Sequence, residues 1–221
     1  MVVTMNYLSP PTSEARAEFY WKRLGETISP QQDWVGLDFG CGQGHLLRLM
    51  ASRLRLVFGI DISPEMVAAS ESVTDGIKNV KVKMMATVPA EAHYPPFDLV
   101  SANSVVHYIE PEHLNGWLRW LIRSLSHRGA LIIANVPRRR DNRLKNLCDS
   151  LRWGLRNNCF FSVIHESLLM ARHGALFGHN RFDPGELLAL VESCGGEGRI
   201  LPRNLDVPAG RFSVIVRRRP R

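Results

Sequence analysis

The hydrophobic positions of the chain change period as it advances, and the changes mark out its elements. Residues 12–28 follow Pro10-Pro11 and read as a helix with Thr12 or Ser13 as cap, carrying Phe19, Tyr20 and Trp21. VGLDF (35–39) reads as a short strand. The glycine-rich turn GCGQG (40–44) follows it and leads into a helix with Leu46, Leu47, Met50 and Leu54 on one face. LVFGI (56–60) is a second buried strand, ending at Asp61. Ser63 then caps a helix with Pro64 at its first position, where proline's fixed φ and missing N–H do no harm. VKVKMM (80–85) alternates as a strand does, and FDLVSA (97–102) is another. Pro111 opens a helix whose stripe of Leu114, Trp117, Leu118, Leu121, Ile122 and Leu125 fits a core-facing side. Gly129 ends that unit before a fifth strand, ALIIANV (130–136).

Alternation of strand and helix through residue 136 predicts an α/β fold, with a parallel sheet covered by helices on both faces and right-handed crossovers. The regularity then breaks. Residues 138–181 are basic, with Leu144, Leu147, Leu151 and Leu155 at helical spacing, and read as an insertion covering one sheet edge. FDPGELLALVESCG (182–195) is an amphipathic helix with Pro184 near its start and Gly195 near its end. Two strands near 198–203 and 211–217 close the chain as a hairpin-like pair at a sheet edge.

Composition narrows the class. The chain has 221 residues, 45% hydrophobic and 22% charged, which suits one globular core and excludes a disordered chain. No apolar run approaches the roughly 18 residues of a membrane span. The start, MVVTMNYLSPP, has no basic stretch followed by an apolar one, so no signal peptide is expected and the cytoplasm is the default location. Cys41, Cys148, Cys159 and Cys194 form no C-x-x-C pair, which argues against a zinc site or a disulfide framework. Charge is uneven. Residues 1–134 carry 12 Lys/Arg against 13 Asp/Glu, and residues 135–221 carry 16 against 8. That asymmetry fits either an anionic partner or an arginine-rich solvated surface.

The first strand-to-helix turn, where ligands of open α/β sheets bind, reads Asp38-Phe39-Gly40-Cys41-Gly42-Gln43-Gly44. Glycines let the backbone approach a ligand closely, and the following helix offers free N–H groups. A dinucleotide site wants G-x-G-x-x-G, with the pyrophosphate on the helix N-terminus. Here the third position of that pattern is His45, and a carboxylate stands two residues before the first glycine. That carboxylate suits a cation, such as an ammonium group near a sulfonium, and not a diphosphate. Asp61, at the tip of the second strand, suits a ribose diol, because Ser63 already serves as the helix cap.

These residues resemble those of the class I S-adenosylmethionine-dependent methyltransferases, in the broad small-molecule subgroup. D-x-G-x-G-x-G, the acid ending strand two, FDLV, the G-ALII strand and the FDPGELLALVESCG helix come in family order along nearly the whole chain. The resemblance implies a Rossmann-like, doubly wound, mostly parallel seven-stranded sheet with an antiparallel edge strand and a helical insertion. It implies one methyltransferase domain over residues 1–221, with residues 138–181 as insertion or cap; the position of residues 1–30 before the first strand and their aromatic cluster, with Tyr7 and Tyr20, suggest a helical lid over the cofactor. S-adenosyl-L-methionine is the implied cofactor. Asp38 and the loop of Gly40, Cys41, Gly42 and Gly44 would hold its methionine part, and Asp61 its ribose. Ile62 and Met66 would pack on adenine. Where the family often has an acid after strand three, this chain has Ala86-Thr87, leaving adenine to backbone groups or the Thr87 hydroxyl. Asn103 and Ser104 would line the methionine end and the reaction centre.

The segment after strand four, SANSVVHY (101–108), lacks the N/D-P-P-Y/F pattern of enzymes of this fold that methylate adenine or glutamine amino groups. It also lacks the cysteine of cytosine-C5 enzymes and any carboxylate for a catechol-type metal, so no metal is expected. His107 is the candidate base, with a packed, non-chemical histidine as the competing reading. Tyr108 is a candidate pocket wall. Tyr20, His179 and Arg181 are candidate acceptor contacts, with capping or surface exposure as the alternative for the last two. The expected activity is methyl transfer to an oxygen or nitrogen of a small metabolite: a natural product, sugar or lipid-linked intermediate, with the arginine-rich insertion favouring an anionic one. The competing readings are an RNA methyltransferase, which the runs Arg138-Arg139-Arg140 and Arg217-Arg218-Arg219 permit, and a nicotinamide-dependent oxidoreductase or binding-only protein on the same scaffold. Nucleic acid is the weaker expectation, since no aromatic-interleaved basic motif is present.

Overall fold

Apolar runs become strands and amphipathic runs become helices across a computed structural model that describes residues 10–85, 94–173 and 180–219. In chain order the elements are α1 (Pro10–Ile28), β1 (Val35–Phe39), α2 (His45–Ala51), β2 (Leu56–Asp61), α3 (Pro64–Val73), β3 (Val80–Met84) and β4 (Phe97–Asn103). A single 3-10 turn at Val106–Tyr108 follows. Then come α4 (Pro111–Arg123), β5 (Leu125–Val136), α5 (Arg143–Arg156), α6 (Phe160–His173), α7 (Pro184–Ser193), β6 (Gly196–Ile200) and β7 (Phe212–Arg218).

The strands form one seven-stranded sheet in the order β3-β2-β1-β4-β5-β7-β6. Strands β1 to β5 run parallel to one another. The expected antiparallel strand is β7, which pairs with β5 on one side and with β6, the outermost strand, on the other. The chain order reverses between β1 and β4, so the loops after these two strands flank the crevice where such sheets bind ligands.

Apolar side chains fill both faces. One cluster gathers α4 and α7 against the sheet around Trp117, Leu118, Leu121 and Leu187. The other gathers α1 and α2 around Tyr20, Leu24, Leu47 and Met50. The helix over 64–73 is capped as expected, with Ser63 Oγ accepting the Met66 N–H at 3.3 Å. A capping box of Asp183 and Glu186 opens α7.

Two expectations need correction. The apolar stripe of α4 does not extend to Leu125, because the helix ends at Arg123 and Leu125 pairs with Phe97 in the β4–β5 ladder. Gly129 therefore lies inside a strand, at a register shift, where a Cβ would stand 2.5 Å from the Phe97 carbonyl oxygen; a bulge with so close a backbone approach requires glycine. The N-terminal helix packs deeper than its sequence announces. Tyr20 and Leu24 lie one turn apart and are wholly buried, so α1 is a layer of the core; Tyr7 lies outside the described residues. The insertion does not seat its leucine stripe on a sheet edge. Leu144 and Leu155 are exposed, and a small cluster of Trp153, Cys159 and Val163 packs instead on Phe19 of α1 and on Val207.

Candidate active site

Backbone torsion builds the first part of the site. Gly40, Gly42 and Gly44 all have positive φ (74°, 53° and 83°), so the turn after β1 coils tightly back toward β2. Gly40 and Cys41 both donate their N–H to the Ile60 carbonyl, at 2.7 and 3.0 Å. At Gly44 a Cβ would meet the Ser70 backbone at 2.9 Å, which fixes how closely α3 approaches the turn. Cys41 points into the core, its Sγ 3.7 Å from Ser70 Oγ, and burial with the charges of Asp38 and Asp61 pushes its thiol pKa up.

Asp61 closes the loop from the other side. Its Oδ2 accepts the Gly42 N–H at 2.9 Å and its Oδ1 accepts the Ser63 N–H at 3.0 Å. Each carboxylate oxygen keeps a further lone pair, so a ribose diol fits here. Beside it Met66 is buried and Ile62 is exposed on the surface next to the loop. Ala86, Thr87 and His179 lie outside the described residues.

Asp38 lies on β1 opposite Ser101 of β4 and is buried. Burial lifts its carboxyl to about 7; the Ser101 hydroxyl bonded to it pulls the other way, and the charge of Asp61 pushes it up again. Tyr20 joins this row from α1, its hydroxyl 3.1 Å from Ser101 Oγ. Burial pushes the Tyr20 phenol up, so it stays a neutral hydroxyl. Because Tyr20 has no exposed surface, it supports the site from beneath and does not present itself to an acceptor. Among the described residues no Lys, Arg or His pairs with Asp38. A buried carboxylate without a protein counter-charge fits a ligand ammonium and would repel a diphosphate.

The end of β4 is tied down by residues that sequence reasoning missed. Asn103 donates from Nδ2 to Asp206 Oδ2 at 3.0 Å, while its Oδ1 is buried without a partner. Asp206 also receives both arms of a fork from Arg16: Nε to Oδ1 at 3.3 Å and Nη2 to Oδ2 at 3.0 Å. Ser104, at φ 61°, accepts from Asn135 Nδ2 at 2.7 Å. Asn204, itself buried, accepts from the Asn135 N–H and the Ser213 hydroxyl. The only hint in the sequence was polar residues at the margins of apolar runs: Asn135 in ALIIANV, and Asn204 and Asp206 in NLDVPAG.

His107 and Tyr108 occupy the 3-10 turn after β4. His107 is only 3% exposed and its ring packs on Tyr108 with centroids 4.1 Å apart, while its carbonyl accepts the Asn180 N–H. Tyr108 is the exposed member of the pair. Arg181 lines a shallow cleft of about 330 Å³ between α4 and α7, together with Leu114, Phe182 and Leu190; the glycine turn does not line it. Among the described residues no three His, Cys, Asp or Glu gather closely enough to hold a metal, and no helix is long and apolar enough to cross a membrane.

Residues 37–131 match the family model described as a methyltransferase domain, a span that covers the glycine turn, Asp61 and the end of β4. Among characterised proteins the chain is similar to trans-aconitate 2-methyltransferase of Mycobacterium tuberculosis, with 34% identity over 92 residues, covering 38% of this chain and 31% of that one. It is also similar to tRNA U34 carboxymethyltransferase of Shewanella sp., with 39% identity over 62 residues, 28% of this chain and 19% of that one. The chain thus spans less than a third of the length of either relative. Among solved structures, a TehB-like S-adenosylmethionine-dependent methyltransferase of Corynebacterium glutamicum has the same fold, with a TM-score of 0.60 at 14% identity over 93% of this chain and 88% of that one. Residues 37–131, which hold the glycine turn, most of β1 and strands β2 to β4, thus match a methyltransferase domain, and the sheet they belong to has the fold of an S-adenosylmethionine-dependent methyltransferase.

Proposed function

We propose that the protein transfers a methyl group from S-adenosylmethionine to an oxygen or nitrogen atom of a small metabolite. The observation that carries this reading is Asp38, a buried carboxylate at the switch point with no cation among the described residues to answer it. When bound, the cofactor supplies a methyl carbon already activated by its sulfonium. Asp38 holds the ammonium of the methionine part, and Asp61, with the N–H groups of the turn, orients the ribose. Asn103 and Ser104, fixed by Asp206 and Asn135, form the wall at the reaction centre. The chain's task is alignment, since an in-line displacement on an activated carbon needs position more than proton transfer. The burial of His107 under Tyr108 supports a packing role for it, with Tyr108 as the pocket wall.

A small acidic acceptor is supported by the similarity to the trans-aconitate enzyme and by the basic last part of the chain. The second reading, methylation of RNA, rests on the same basic residues and on the similarity to the tRNA enzyme. Transfer from radiolabelled S-adenosylmethionine to a library of small metabolites and to total tRNA separates them. The proposal expects label in a small molecule. Label in tRNA, with binding that weakens steeply as salt rises, would replace it with the second reading.

A further inference from the structure

Two arginines stand near the carboxyl ends of β4 and β5, and among the described residues only Arg16 has a carboxylate bonded to it. Arg16 engages Asp206 through the edge formed by Nε and Nη2, the fork that matches the two oxygens of a carboxylate. Arg211, just before β7, donates from Nη1 to the Asn135 carbonyl at 3.4 Å. Its Nε is shut away from solvent with no hydrogen-bond partner, and among the described residues nothing bonds its Nη2. The same edge that Asp206 fills on Arg16 is therefore unfilled on Arg211.

The position matters as much as the edge. Asn135, whose carbonyl anchors Arg211, donates its side chain to Ser104 at the end of β4. Arg211 thus stands one residue removed from the wall assigned above to the reaction centre. Burial lowers its pKa, repulsion from Arg16 adds to this, and Tyr108, Asp141 and Asp206 act the other way. Neither Asp141 nor Asp206 hydrogen-bonds to it. A guanidinium held out of water beside another cation is costly to the folded chain. Such a cost is typical of residues whose partner is a ligand.

We infer that the Nε–Nη2 edge of Arg211 binds a carboxylate of the acceptor, so that the substrate is a small organic acid anchored through that group. The inference rests on the methyltransferase reading and adds the acceptor's class to it. A carboxylate clamped by two charge-assisted bonds has its lone pairs engaged. The anchored group is thus not the one methylated, and the acceptor carries a second nucleophilic atom. Tyr108, within electrostatic reach of both arginines, forms the adjoining wall.

The test is calorimetry on the full chain in two stages. S-adenosylhomocysteine is titrated first, alone. Failure at this stage removes the methyltransferase reading itself. The protein saturated with S-adenosylhomocysteine is then titrated with benzoate, succinate and citrate as carboxylate probes and with inorganic phosphate as the other oxyanion. The inference expects saturable binding of at least one carboxylate, weakened about tenfold or more in Arg211→Gln, with S-adenosylhomocysteine affinity unchanged. Arg211→Lys, which keeps the charge and loses the fork, should fall between the two and serves alone if the glutamine variant does not fold. Without acid, Arg211→Gln should melt no lower than the wild type. Binding of phosphate but no carboxylate, binding of no probe, or equal affinity in wild type and variants would overturn the inference while leaving the cofactor site intact.

Discussion

The carboxylate of Asp61 accepts the N–H of Gly42 at 2.9 Å, and this one bond joins the tip of β2 to the turn after β1. The turn's shape and the acid proposed to bind the ribose are therefore a single unit. Glycine torsions form the loop, and the carboxylate fixes how far it swings.

Replacing Asp61 with Ala should accordingly lower affinity for S-adenosylhomocysteine by more than loss of ribose contacts alone, on the order of a hundredfold. Asp61→Asn keeps one acceptor oxygen and should lose less. Calorimetric titration of both variants checks the order; equal affinities for wild type and Asp61→Ala would separate the acid from the site.

Asp38 makes pH the second probe. Its carboxyl rises from an ordinary value near 3.8 to about 7 in the folded protein, mainly through burial. The folded state therefore holds a proton that the unfolded state releases between those two values. The sign follows: Asp38 costs no stability at low pH, and the penalty grows as pH climbs from about 4 to about 7, reaching a few kcal/mol. Asp38→Asn should be more stable than the wild type at pH 8 and nearly equal to it at pH 4.5, measured by denaturant unfolding. A gap of the same size at both values would contradict the account.

Cofactor binding should show the opposite trend. A ligand ammonium needs Asp38 ionised, so affinity should rise as pH passes through about 7, with proton release on binding. It should fall again as the ligand amine loses its own proton near pH 8. Titrations in buffers of different ionisation enthalpy measure the released proton; pH-independent affinity would count against Asp38 as the ammonium site.

Asp206 anchors Arg16 and Asn103 together. Asp206→Ala leaves a largely buried guanidinium unpaired and should cost about 3–5 kcal/mol of stability. Arg16→Met combined with Asp206→Leu should recover much of that, since both charges leave together. Denaturant midpoints of the single and double variants check the coupling.

His107 gives a sharper outcome because two roles compete for it. With its ring packed under Tyr108, His107→Gln should leave S-adenosylhomocysteine affinity unchanged and turnover within about threefold, well short of the loss expected for a general base. A fall of a hundredfold or more in turnover would restore the proton-transfer role.

The parts of this fold that were legible beforehand are those written in local pattern. VGLDF, LVFGI and FDLVSA announce β1, β2 and β4 because buried parallel strands are continuous apolar runs, and Ser63-Pro64 announces α3 because capping is chemistry within a few residues. Asp38 and the glycine turn were legible for the same reason. The misreadings were non-local. The depth of Tyr20 is not legible, since nothing within α1 shows that Ser101, 81 residues later, meets its hydroxyl. The leucines of α5 were assigned to a sheet edge because spacing reports a face and not what covers it. Asp206 and Arg211 were missed altogether. They belong to the loop between β6 and β7 and reach Asn103 and Asn135, at the ends of β4 and β5, only because β7 inserts beside β5.

The central claim is that a buried carboxylate with no counter-charge among the described residues, beside a left-handed glycine turn, makes this a site for a cationic amino acid tail. Calorimetry of the full chain with S-adenosylhomocysteine and, separately, NAD tests it most directly. The account predicts one saturable site for S-adenosylhomocysteine, abolished or strongly weakened by Asp38→Ala, and no binding of NAD. Binding of NAD, or no binding of S-adenosylhomocysteine to the wild-type chain, would contradict it.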